Sequence, residues 1–185
     1  MKHYITVVWL CLAVGCAQQK AVAPQGASGH AQVLDRAPTP YSASEIRDAH
    51  PNGTTLSFLV QVAGSDDVVQ VMQFSDGDAT GTTVVSSVQN PDGEVLGKTT
   101  SARATWDQLR DHASFEATKT SIRKSQCKVV AGSYDCMRYE VTRGDGAVQE
   151  LHFAKTKPGP PVLLLMRKGE KEMLRMELIE YHRGS

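Results

Sequence analysis

From Thr54 onward, apolar and polar residues alternate with a period of two. Leu56, Phe58, Val60 and Val62 fall on one side of a strand and Ser57 and Gln61 on the other, and Gly64-Ser65-Asp66-Asp67 ends it. Val68 to Phe74, Thr82 to Gln89 and a short Glu94 to Lys98 continue the pattern. They are separated by the turn-forming runs Ser75-Asp76-Gly77-Asp78 and Asn90-Pro91-Asp92-Gly93. Ile122 to Val130, Tyr134 to Thr142, Ala147 to Lys155, Val162 to Lys168 and Met173 to His182 bring the count to about nine strands. Tight turns join neighbours in sequence, which predicts a mainly β domain: one antiparallel meander, strongly curved or half-barrel, with one or two short helices. No repeat of 20 to 50 residues is visible, which argues against propellers and solenoids.

The period changes to a helical one twice. Ser42-Ala43-Ser44-Glu45 fits a capping box and predicts a helix over Ala43 to Ala49, stopped by Pro51-Asn52-Gly53. Thr105-Trp106-Asp107-Gln108 is a second box, followed by Leu109 and Ala113 at helical spacing, so a short helix can lay Trp106 on the sheet.

Ser125 to Met166 holds the densest information. Cys127 and Cys136 flank a bend at Ala131-Gly132-Ser133. If Ala131-Gly132 is a two-residue turn, counting outward sets Cys127 opposite Cys136. A directly opposed pair with Cα atoms about 4.5 Å apart lies within disulfide range. A longer loop shifts that register. Further on, the stiff segment Pro158-Gly159-Pro160-Pro161 leads into Val162 to Met166, five successive apolar residues that imply burial on both faces. Two readings stay open: a central strand packed on both sides, the stronger, or a strand whose inner face lines a cavity for an apolar ligand.

The first 40 residues follow no such pattern. Lys2, the apolar run Ile5 to Val14, and the small residues Gly15 and Ala17 have the three parts of a secretory signal; the apolar run is too short to span a bilayer. Leu12-Ala13-Val14-Gly15-Cys16 resembles a bacterial lipobox, with Leu12 one place further from the cysteine than in the common form. The resemblance implies a signal peptide over 1–15, acylation of Cys16 and, from Ala17, sorting to the outer membrane. The alternative is ordinary cleavage after Ala17. Residues 17–40, rich in Ala, Gln, Gly and Pro, read as a disordered tether of about 27 Å root-mean-square reach. The β domain is then expected over 41–185.

The whole chain has 20 basic and 20 acidic residues, and removal of the signal takes away Lys2 alone, leaving 19 against 20. With no basic excess or cluster, nucleic acid is excluded as an expected partner. In an oxidising envelope the close pair Cys127 and Cys136 reads as a disulfide ahead of a metal site or a redox pair. Asp76 to Gly81 could be drawn as a calcium loop, but the twelfth position counted from Asp76 is Ser87 and not a glutamate, so it reads as a turn. The histidines show no metal-ligand spacing, and His152, between Leu151 and Phe153, reads as an ordinary strand histidine. Gly-x-Ser-x-Gly, phosphate-binding and dinucleotide motifs are absent from the sequence, so no enzyme, cofactor or metal is expected.

The order of lipobox, tether, short helix and helix-interrupted β meander is similar to the LolA/LolB-like class of envelope proteins. Val130-Ala131-Gly132-Ser133-Tyr134-Asp135-Cys136, Phe153-Ala154-Lys155 and Pro158 to Val162 also resemble uncharacterised lipoproteins of predatory soil bacteria. The resemblance implies a half-barrel with a hydrophobic cavity closed by helices, and a non-enzymatic, outer-membrane-anchored protein that binds a lipid or acyl chain. Phe58, Val60, Trp106, Leu163 and Leu165 would line the cavity. The alternative is an interaction or assembly lipoprotein with a filled core and a protein partner in the envelope.

Overall fold

The computed structural model describes Asp35–Ser185. The signal segment, Cys16 and the tether up to residue 34 lie outside the described residues. Residues 35–40 already belong to the packed chain. Arg36 bridges to Glu116, the Ala37 N–H donates to the Phe115 carbonyl at 2.9 Å, and the Tyr139 hydroxyl donates to the Pro38 carbonyl at 2.7 Å.

Both predicted helices form, each with a complete capping box. In α1 (Ala43–Ala49) the Ser42 hydroxyl accepts from the Glu45 N–H while the Glu45 carboxylate accepts from the Ser42 N–H. In α2 (Trp106–Asp111) Thr105 and Gln108 do the same. Satisfying early N–H groups this way matters most in helices too short to persist alone.

Nine strands follow the alternation: β1 (Thr55–Val62), β2 (Val68–Ser75), β3 (Gly81–Gln89), β4 (Thr100–Thr105), β5 (Thr120–Val129), β6 (Gly132–Thr142), β7 (Val148–Ala154), β8 (Leu163–Lys168) and β9 (Lys171–His182). Every pairing is antiparallel. The order across the sheet is β4-β3-β2-β1-β9-β8-β7-β6-β5. The sheet is therefore two meanders and not one. The first runs outward from β1 to β4. Then α2 and a single 3-10 turn at Ala117–Lys119 carry the chain to the opposite edge, and β5 to β9 return to pair with β1.

Two sequence expectations need correcting. Glu94 to Lys98 makes one isolated bridge, between Val95 and Gln89, because Gly93 and Gly97 take positive φ (88° and 82°) and Val95 stays half exposed; the strand is Thr100–Thr105. In the hairpin, Val129 pairs with Gly132, so Val130-Ala131 is the turn, and Cys127 faces Tyr134 while Cys136 faces Ser125. The register sits two residues from the one that opposes the cysteines. Gly132, at φ 142°, takes the conformation that lets the chain re-enter the ladder there.

Because side chains alternate, each cross-strand row lies on one face. Tyr139, Leu151, Leu164, Met176 and Val60 form a row on the face that looks toward α1 and α2. With Phe58, Phe74, Leu178, Tyr41, Ile46 and Trp106 they build the main apolar core. Complete burial of one such side chain contributes about 1.5–3 kcal/mol.

The neighbouring row runs Arg138, His152, Leu163, Glu177 and Leu59 on the reverse face. Over β5–β9 this face is also covered, by the sheet itself. β5 touches β7 and β9 as well as its ladder partner β6, and the hairpin tip donates from the Ala131 N–H to the Leu178 carbonyl at 3.1 Å. The return meander is thus a roll. This accounts for the apolar run Val162 to Met166: Leu164 packs toward the helices, while Leu163 and Leu165 are buried inside the roll.

Candidate functional site

The inside of the roll collects the chemically versatile side chains of the domain. Period-two spacing puts Ser125 and Cys127 of β5, Cys136, Arg138 and Glu140 of β6, and Glu150 and His152 of β7 on one face. Register then sets Ser125 opposite Cys136, Arg138 opposite His152 and Glu140 opposite Glu150.

Two glutamates directly opposed repel each other, and Glu150 is buried. Arg138 resolves the conflict by donating to Glu150 at 2.6 Å and to Glu140 at 2.8 Å. Arg167 stands 3.6 Å from Glu150, and Arg123 stands 3.4 Å from Glu140. The other Glu150 oxygen lies 2.7 Å from His152 Nε2. That contact assigns the proton to Nε2 and leaves Nδ1 as an acceptor, which the Ser125 hydroxyl meets at 3.3 Å. The network thus fixes both the tautomer and the plane of the imidazole.

Beside the ring lie two thiols. The Cys127 and Cys136 sulfurs and one His152 nitrogen all fall within 4.8 Å of one another, and all three residues are buried. The sulfurs are not joined. Burial pushes the Cys136 thiol up to about 12, with the nearby Cys127 adding to the effect, and burial likewise raises Cys127. Both sulfurs therefore keep their protons at neutral pH.

Serine, histidine and glutamate in sequence evoke acyl-transfer chemistry, but the wiring is the reverse of the usual triad. There the serine sits on Nε2 and the acid on Nδ1; here Ser125 is on Nδ1 and Glu150 on Nε2. Two hollows among the described residues lie elsewhere. One is an open groove of about 540 Å³ bordered by Glu45, Asp48, Lys157, Tyr181 and Arg183, and the other, about 230 Å³, is bordered by Gln61, Glu172 and Arg175. In the larger groove, Lys157 Nζ sits 3.6 Å from the centre of the Tyr181 ring.

The five residues expected to line an apolar chamber are all buried, but the sheet divides them. Phe58 and Val60 look toward the helices, as does Trp106 from α2, while Leu163 and Leu165 point into the roll. Alternation prevents one chamber from touching both sets, and none of the five borders either hollow. Asp76 to Gly81 is a closed turn. The Asp78 carboxylate accepts from the Thr80 N–H and hydroxyl and from the Gly81 N–H and pairs with Arg103 at 2.6 Å, bonds that hold it down at about 2, the Thr80 hydroxyl first among them.

Sequence reasoning missed the Arg138–Glu150–His152 network. The register comes from a loop at Gly144 to Gly146, which faces Arg143 with Ala147 and Thr142 with Val148 and so sets Arg138 against His152 and Glu140 against Glu150; counting outward from a four-residue turn at Arg143 to Gly146 pairs Thr142 with Ala147 and hides the cluster.

No protein-family model and no curated protein matches the chain. Among solved structures it is similar to MucB in the complex structure of Pseudomonas aeruginosa MucA/MucB, with a TM-score of 0.50 and 15% identity, over 77% of this chain and 56% of that one. It is also similar to MucB alone (TM-score 0.46, 18% identity, 77% and 59%) and to MucB in complex with MucA(peri) (0.40, 18%, 77% and 56%). The chain therefore spans little more than half the length of these neighbours. What it shares with the first of them is a fold, the curved antiparallel sheet.

Proposed function

We propose that this chain is a non-enzymatic envelope lipoprotein that docks a partner protein, held at the membrane by an acylated Cys16. The carrying observation is the filled core. Phe58, Phe74, Trp106 and Leu178 are 5% exposed or less, and the two hollows are open grooves lined by charged and apolar groups together rather than enclosed apolar chambers. A carrier of the LolA/LolB-like kind needs an apolar volume of a few hundred Å³. The fold-level likeness to MucB supports the same direction, since that protein was solved in complex with MucA. The sheet also offers an open edge. β4 pairs only with β3, and its middle residues Ser101, Ala102 and Arg103 are exposed, so an extended segment of a partner can add to it by main-chain hydrogen bonds.

The test is made on the full chain with Cys16→Ser, so that any lipid recovered is non-covalent, and with a photo-crosslinking residue at Ala102 or, as control, at Lys128. The expected outcome is a lipid-free domain and a single protein adduct from Ala102 only. One acyl lipid per chain in gently purified protein would overturn the reading in favour of the carrier.

A further inference from the structure

We propose that Cys127, Cys136 and His152 form a zinc(II) site inside the roll. Three observations carry it, none of which the docking role requires. The first is register. Cys127 and Cys136 are not opposed but diagonal, on strands where such positions are about 7–8 Å apart, beyond the usual Cα range of about 4.4–6.8 Å for a disulfide. A diagonal offset suits a direct bridge less well than an opposed pair does, whereas one ion between the sulfurs accommodates it.

The second is the donor set. Two sulfurs and an imidazole nitrogen within 4.8 Å of one another are the ligand types of tetrahedral zinc. With bonds of about 2.3 Å to sulfur and 2.0 Å to nitrogen, ligand atoms stand roughly 3.5–3.8 Å apart, a contraction that side-chain rotation supplies. The third is the support behind the histidine. Zinc-binding imidazoles commonly donate their other N–H to a carboxylate, which orients the ring and raises its basicity. Here Glu150 already does this at 2.7 Å and is itself anchored by Arg138 at 2.6 Å. Nδ1 is the nitrogen left to bind, once the Ser125 hydroxyl turns from it toward the ion or a water in the fourth position.

Charge selects the ion. Binding releases the two thiol protons to solvent, and two thiolates with Zn²⁺ and a neutral imidazole make an electrically neutral unit. Copper(I), the other thiophilic candidate, would leave the buried unit with a net negative charge. In the metal-free protein the thiols stay protonated, which matches their burial.

The experiment uses the full chain carrying Cys11→Ser and Cys16→Ser, so that two thiols remain, prepared reduced and metal-free. Zinc titration followed by desalting should leave one zinc per chain and release two protons per ion. Cobalt(II) in its place should give thiolate-to-metal charge-transfer absorption. These readouts need no variant of the site. Cys127→Ser, Cys136→Ser and His152→Gln should abolish retention, and Glu150→Gln should weaken it about 10–100-fold. Stronger retention of copper(I) than of zinc, cobalt binding without the charge-transfer band, or recovery of Cys127 and Cys136 joined as a disulfide from exported protein would overturn the proposal. None of these results bears on partner docking at β4.

Discussion

Under α1 and α2, Phe58 and Phe74 are buried by apolar neighbours, whereas inside the roll Cys136, His152 and Glu150 are buried among groups that need protons, counter-charges or hydrogen bonds. Apolar burial tolerates approximate partners; a buried charge does not. The two faces should therefore fail differently. Phe58→Ala, at 1% exposure, should cost about 3–5 kcal/mol in denaturant unfolding, and no second polar change should restore it. Arg138→Ala should cost a similar amount, about 3–5 kcal/mol, because it strands Glu150 without its main counter-charge. Here a second change should help. Arg138→Met with Glu150→Gln keeps an acceptor for His152 and removes the unpaired charge, and should recover most of the loss. A double variant as unstable as Arg138→Ala would mean that the network is not organised by charge balance.

The two faces also differed in how readily the sequence disclosed them. Alternation in Leu56 to Val62 and the capping boxes at Ser42 and Thr105 are local signals, and strands, helices and fold class followed from them. β4 was misplaced because Thr100–Thr105 is an exposed edge strand with little apolar surface to mark it, while Val95, an isolated valine, imitated a strand. The hairpin register was misjudged because Val130-Ala131 and Ala131-Gly132 are both usable turns, and the choice between them is made by the Ala131 bond to Leu178, far away in sequence. The polar cluster depends on three registers at once, and the roll that buries it depends on a contact between strands that are not ladder neighbours. Non-local geometry of that kind leaves no mark in a residue pattern.

A smaller loss is expected at the rim of the helix-covered face. Gly159 has φ 137°, and a Cβ there would stand 2.5 Å from Cε1 of the buried His50 ring. Gly159→Ala should cost about 1–3 kcal/mol through backbone strain, with the clash pushing toward the upper end. His50 also brings a pH dependence to this largely apolar side. Its ring lies 4.2 Å from that of Phe74, Nδ1 donates to the Ile46 carbonyl at 2.8 Å, and Nε2 has no partner among the described residues. Burial lowers its pKa from 6.5. The unfolded chain then takes up the proton first, so the stabilising contribution is present above pH 6.5 and is lost as pH falls below it toward the folded value. Urea midpoints measured from about pH 8 to 5 should decline over that window. His50→Phe should flatten the decline whatever its effect on the midpoint. An unchanged slope would assign the acid sensitivity to another group.

The smallest effect separates a helix held by its cap from one held by the sheet. Thr105→Ala removes the hydroxyl that accepts from the Gln108 N–H and should cost about 1 kcal/mol, while Thr105→Ser should cost less. Trp106 follows immediately, buried and donating from its indole N–H to the Asp78 carbonyl at 2.8 Å. If packing holds α2 in place, the alanine variant should unfold at lower denaturant with its Trp106 emission unchanged in the folded state. A red shift before unfolding would show instead that the cap positions the helix. In that case the apolar face, like the polar one, would depend on well-placed hydrogen bonds, and the contrast between the two would narrow to one of charge.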